Sequence, residues 1–168
     1  MRFVDPIIQE LEAESQTTLR VLERVPEAKL AWKPHEKSSS LGQLAHHVAS
    51  IPGNIASMAI NDHFEVGSFG KPPEPKTQAE ILETHRQSVQ KAKDLMSQVD
   101  DERAMATWSL NREGKAIITI PRVALYRNIL LNHWIHHRGQ LTVYLRLLDI
   151  PVPSVYGPSA DENPFASS

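Results

Sequence analysis

The chain has 168 residues, 40% of them hydrophobic and 23% charged, with a net charge of −2 and no cysteine. This composition suits one soluble domain with a sizeable core and excludes disulfides, thiolate metal sites and a cysteine nucleophile. No basic block marks nucleic-acid binding, and no apolar run is long enough to span a membrane. The opening stretch MRFVDPIIQELEAES turns acidic at once and has no signal-peptide core, so a cytoplasmic location is expected.

Hydrophobic periodicity predicts four amphipathic helices. The first runs from about 5 to about 25, with Ile8, Leu11, Thr18 and Leu22 on one stripe, and ends near Pro26. LAWKPHEKSSS is a connector whose serines supply an N-cap. The second helix starts near Ser40 and carries Leu41, Leu44, Val48, Ile51 and Ile55. Pro52 lies inside that pattern, which predicts a kink or a break. GSFGKPPEPK reads as a loop.

The third helix opens at Thr77, with Glu80 at capping-box spacing, and its stripe is Leu82, Val89, Ala92, Met96 and Val99. ATWSLNREGKAIITI alternates around a glycine-containing turn and predicts a short β-hairpin between the third and fourth helices. The fourth helix begins after Pro121 and runs to about 149, where Pro151 and Pro153 stop it. Its stripe is Tyr126, Leu130, Leu141, Tyr144 and Leu148. The fold expected is therefore all-α: a four-helix bundle over 1–150 with a long crossover connection, and an extended Pro/Ser-rich tail over 151–168.

Histidine placement carries the functional signal. In NHWIHHRGQL, His133 and His137 stand i, i+4, about 40° apart on a helix, on the face of Tyr126 and Leu130. Such a pair can reach one metal ion, or can be two half-buried histidines hydrogen-bonded within the bundle. His136 points to the stripe's edge. In the second helix His46 faces solvent, whereas His47 lies at the inner edge of the stripe and can either meet a neighbouring helix or remain at the surface. His85 lies on the apolar stripe of the third helix and reads first as a core histidine, with a place in or behind a metal site as the alternative. His35 and His63 read as surface residues.

Gly139 is unusual in mid-helix, where it costs about 1 kcal/mol relative to alanine. The expected return is close approach of a neighbouring backbone. Gln140 swings back to the face of His133 and can orient an imidazole or a water, or simply lie at the surface. Arg138 points away from the ligand face and reads as a surface or interface residue. Ser15 and Thr18 lie near the inner stripe of the first helix. Tyr156 becomes a pocket wall if the tail folds over the bundle end. No Asp or Glu stands out as a general base.

AWKPHEKSSSLGQLAHHVAS, HWIHHRGQLTVYLRLL and PVPSVYGPS together resemble the DinB family of the DinB/YfiT-like superfamily. The most specific part is H-x-x-x-H-R-G-Q, matched by His133, His137, Arg138, Gly139 and Gln140. The L-x-x-H context of the family's second helix falls on Leu44 and His47. The resemblance implies a compact four-helix bundle, often a homodimer. It implies a divalent metal held by His47, His133 and His137, with zinc or nickel favoured and manganese or iron as alternatives. It implies a small-molecule transferase using a low-molecular-weight thiol, or a hydrolase. The alternative is a non-catalytic metal-binding stress-response or structural protein.

Overall fold

The computed structural model describes residues 1–67 and 73–166; they are mostly helical, with a small three-stranded sheet. α1 (Asp5–Leu22) takes Pro6 in its first turn, where the missing N–H costs nothing. It buries Ile7, Leu11, Glu14, Ser15, Thr18, Val21 and Leu22, so the stripe starts at Ile7 rather than Ile8.

α2 (Leu41–Met58) begins with a reciprocal capping box: Ser40 Oγ accepts from the Gln43 backbone N–H, and the Gln43 side chain accepts from the Ser40 N–H. Of the kink or break expected at Pro52, the break does not occur: the helix runs on, and neighbouring helices take up backbone groups around the proline. The Val48 carbonyl, four residues before Pro52, accepts the Trp134 indole N–H at 2.8 Å. The Gly53 N–H donates to Ser88 Oγ at 2.8 Å, and Ser88 Oγ donates to the Ser50 carbonyl at 3.0 Å. Gly53 also permits the contact itself, since a Cβ there would lie 3.0 Å from Ser88 backbone atoms.

α3 (Gln78–Ser97) is capped by Thr77, whose hydroxyl accepts from the Glu80 N–H. A short α4 (Asp101–Met105), capped by Asp100, leads into the predicted hairpin, β2 (Thr107–Arg112) and β3 (Lys115–Pro121). Glu113 and Gly114 both take positive φ at its two-residue turn. The sheet exceeds the all-α expectation by one further strand. β1 (His63–Glu65) pairs parallel to β2, with Phe64 opposite Leu110. Residues 68–72 of the loop expected over 67–76, and 167–168 of the tail, lie outside the described residues.

The final long helical segment changes pitch along its length. An α-turn, α5 (Arg122–Ala124), passes into a π-helix (Leu125–Leu131) and then into α6 (Asn132–Leu147). α6 ends in a Schellman arrangement: Asp149 has φ 58°, its N–H reaches the Arg146 carbonyl, and the Ile150 N–H reaches the Leu145 carbonyl. α2 packs against α3 and α6, and α1 touches the same two helices. Leu11, Val48, Ile81, Leu130, Trp134 and Leu141 meet in the core between them. Among the described residues, no helix is long and apolar enough to cross a membrane.

Candidate metal centre

α2 and α6 are tied together by the Trp134–Val48 hydrogen bond, and the residue preceding each of the two is a histidine. Trp134 is buried and fixes the rotation of α6, so His133 beside it turns toward α2. His47, one residue before Val48, turns toward α6. The two Nε2 atoms lie 3.2 Å apart. His137, one turn after His133, joins them: its ring centroid is 4.6 Å from that of His47 and 4.3 Å from that of His133. One nitrogen from each of the three rings lies within 4.8 Å of the others.

These residues fit a divalent ion. Two nitrogens bound tetrahedrally at about 2.05 Å stand about 3.3 Å apart, and the His47–His133 separation of 3.2 Å matches that edge. Gln140 Oε1 accepts a 2.7 Å hydrogen bond from His137 Nδ1, which leaves the lone pair of His137 on Nε2. Burial disfavours the charged imidazole and pushes the pKa of His47 and His133 down to about 4, and the adjacent imidazoles add to the effect. Burial also lowers His137, against an opposing contribution from the Gln140 hydrogen bond. All three side chains are therefore neutral at physiological pH, the form that binds metal. The cluster contains no carboxylate. His47 is exposed and the other two are half-buried, so the site opens at the surface.

The remaining sequence candidates fall elsewhere. His136 is exposed, with its ring 4.9 Å from that of His137. His46 is half-buried rather than solvent-facing, because it turns toward Glu80 of α3. His85 is not brought to the cluster: it is buried between α3 and α1, and its Nε2 lies 3.1 Å from the Ser15 carbonyl. Ser15 and Thr18 face His85 and Arg138 rather than the three imidazoles.

Arg138 is the principal correction. It is 1% exposed, not a surface residue. The buried row of this helix runs Tyr126, Leu130, Trp134, Arg138, Leu141, Leu145, so Arg138 projects into the interior toward α1. Its guanidinium pairs with Glu14 at 2.5 Å and donates to Thr18 Oγ1 at 3.1 Å and to the Tyr156 hydroxyl at 2.7 Å. Tyr156 in turn donates to Glu14 at 2.9 Å. The tail thus seals the α1–α6 groove, away from the histidines. The i±4 spacing of Arg138 from Trp134 carried this signal, but only once Trp134 is counted in the stripe.

A largely helical fold that gathers three imidazoles from two helices at its surface defines the class. The DinB family model matches residues 1–164, and the chain belongs to the DinB family. It is 26% identical over 159 residues to the uncharacterized protein YrdA of Bacillus subtilis, spanning 95% of this chain and 91% of that protein. Its fold is similar to that of a DinB-like protein from Bacillus cereus, with a TM-score of 0.73 and 22% identity over 91% of this chain and 97% of the other. A DinB-like protein of Bacillus subtilis, YjoA, gives a TM-score of 0.65 at 18% identity, over 88% of this chain and 97% of the other.

Proposed function

We propose that the protein is a cytoplasmic metal-dependent enzyme acting on small molecules, with a divalent ion on His47, His133 and His137. The fold is then a four-helix bundle of α1, α2, α3 and α6 with a long crossover, into which the sheet is inserted. The observation that carries the reading is the 3.2 Å approach of His47 and His133, with His137 beside them and its tautomer set by Gln140. Zinc or nickel suits an all-imidazole site, and manganese or iron is the alternative.

When bound, the ion supplies a Lewis acid with positions open to an incoming thiol or water. The chain's own residues argue for the thiol. Three neutral imidazoles leave the positive charge of the site uncompensated, and no carboxylate stands in the cluster to take a proton. An anionic nucleophile such as a low-molecular-weight thiolate answers both conditions, and thiol transfer is preferred over hydrolysis. No cysteine of the chain competes for the site.

The second reading is a non-catalytic staple. His47 comes from α2 and the other two from α6, so an ion there would pin the two helices together. Elemental analysis of untagged protein, beside His137→Ala, tests the site common to both readings. About one equivalent of a transition metal in the wild type and its loss in the variant is the expected result. No metal in either after reconstitution overturns both readings. Cobalt-substituted protein separates them: visible bands that shift when a small thiol is added favour the enzyme, and bands that do not shift favour the staple.

A further inference from the structure

We propose that Trp32 and Tyr144 are specificity-determining residues of the same site: they hold a flat apolar group of the thiol whose sulfur lies at the imidazoles. The proposal rests on the thiol reading above and concerns the end of the molecule that the metal does not touch.

The row of α6 that carries the ligands continues past them. At roughly 100° per residue, His133, His137, Gln140 and Tyr144 fall within about 60° of one another. At 1.5 Å per residue, Tyr144 stands about 10 Å beyond His137 along the helix. α2 runs in the opposite direction beside it. Trp134 reaches Val48, whereas the Tyr144 hydroxyl reaches back to the Ser39 carbonyl, before α2 begins. Gln140, between the ligands and Tyr144, is exposed, so this strip of α6 is open to a ligand. Its flank is open as well. The close approach of a backbone expected at Gly139 does not occur: the helix's own backbone aside, no described atom lies within 4 Å of the position a Cβ would take there.

An aromatic pair closes the far end of the strip. Trp32, in the connector before α2, meets Tyr144 edge to face, with ring centroids 5.8 Å apart and planes at 86°. The Leu41 N–H donates to the Trp32 carbonyl at 2.8 Å, so the start of the helix that carries His47 also fixes Trp32. Both rings pack on the core with one side and remain half-buried. The indole N–H groups of Trp108 and Trp134 donate to the Met58 and Val48 carbonyls, whereas that of Trp32 has no acceptor among the described residues. Two fixed rings with a free donor at their edge suit a flat apolar group, which packs against them face-on or edge-on. A thiol with such a group about two helical turns from its sulfur touches both ends of the strip. A short thiol is held by its sulfur alone.

Two thiols that differ only in a ring test this, titrated into cobalt-substituted protein with the visible bands as readout. They are butane-1-thiol and 4-phenylbutane-1-thiol, which spans roughly 10 Å from metal to ring when extended. Wild type is expected to bind the phenyl compound about tenfold more tightly or better, and Tyr144→Leu and Trp32→Leu to bring the two affinities together. In zinc-loaded wild type, the phenyl compound should also shield tryptophan emission from acrylamide. Trp108 and Trp134 are buried, so that quenching reports Trp32, and it stands even where a variant fails to fold. Equal affinities in the wild type, a preference that both variants keep, or a preference without shielding of Trp32 overturns the proposal and leaves the thiol reading intact. Bands that neither thiol moves overturn both.

Discussion

Gln140 Oε1 accepts a 2.7 Å hydrogen bond from Nδ1 of His137, three residues back on the same helix. The bond fixes which ring nitrogen carries the proton and therefore which one faces His47 and His133. A residue of this kind holds a ligand without touching the ion. Gln140→Leu is expected to weaken metal binding by about 10–100-fold, while Gln140→Glu, which keeps an acceptor there, retains it. Competition with a chromophoric chelator measures both. Equal affinities for wild type and Gln140→Leu would remove Gln140 from the site.

The imidazoles give the metal-free protein a defined pH dependence. His47 and His133 hold pKa values of about 4 in the folded chain, against about 6.5 when unfolded. Between those values the unfolded chain binds more protons than the folded one. Stability is therefore full above about 6.5 and is lost as pH falls toward 4. His85, lowered by burial, adds to the same slope. Thermal melts of metal-free protein from pH 7 to pH 4 read this out, and the fall in Tm should be shallower in His47→Gln/His133→Gln. An identical slope in that variant would assign the dependence to other groups.

Arg138 should be among the most sensitive positions in the chain. Removing Glu14 leaves its guanidinium buried without a counter-charge, and Glu14→Ala is expected to cost about 3–5 kcal/mol. Tyr156→Phe, which loses two hydrogen bonds at a partly exposed group, should cost about 1 kcal/mol. Urea denaturation of the single variants and the double variant yields their coupling. Strictly additive losses would mean that Tyr156 and Glu14 do not act as one unit.

The repair of α2 around Pro52 is a separate test. Ser88→Ala removes the hydroxyl that bridges the Gly53 N–H and the Ser50 carbonyl and should cost about 1 kcal/mol. Gly53→Ala should cost more, because its Cβ would press on the backbone of Ser88 rather than on a movable side chain. Chemical denaturation ranks the two. A neutral Ser88→Ala would mean that water satisfies α2 equally well.

Local signals in the sequence were legible, and long-range ones were not. The i, i+4 spacing put His133 and His137 on one face without knowledge of the fold, and the Ser40 and Thr77 caps sit where their side chains predict. The fate of Pro52 could not be read, because it depends on Ser88 and Trp134, which lie 36 and 82 positions away in the chain. Arg138 misled for the same reason. A charge on a helix reads as solvated until the partners that make burial tolerable are known, and Glu14 is 124 residues distant. β1 was missed because three residues joined in parallel to a distant strand carry little periodicity of their own.

The seal between α1 and the tail bears on how the chain is made. Glu14 and Tyr156 are 142 residues apart, as are Arg20 and Glu162. At about 5–20 residues per second, the ribosome needs on the order of ten seconds to deliver the second member of each pair after the first. α3 is available to α1 well before then, but the side of α1 that meets Arg138 and the tail stays open throughout that interval. Contacts of such long sequence separation also form slowly, because loop closure comes before any gain in packing. The first helix to be synthesised is thus fully covered only when the last segments arrive. A nascent chain stalled before residue 138 would present a half-covered core to whatever chaperone stands at the exit tunnel.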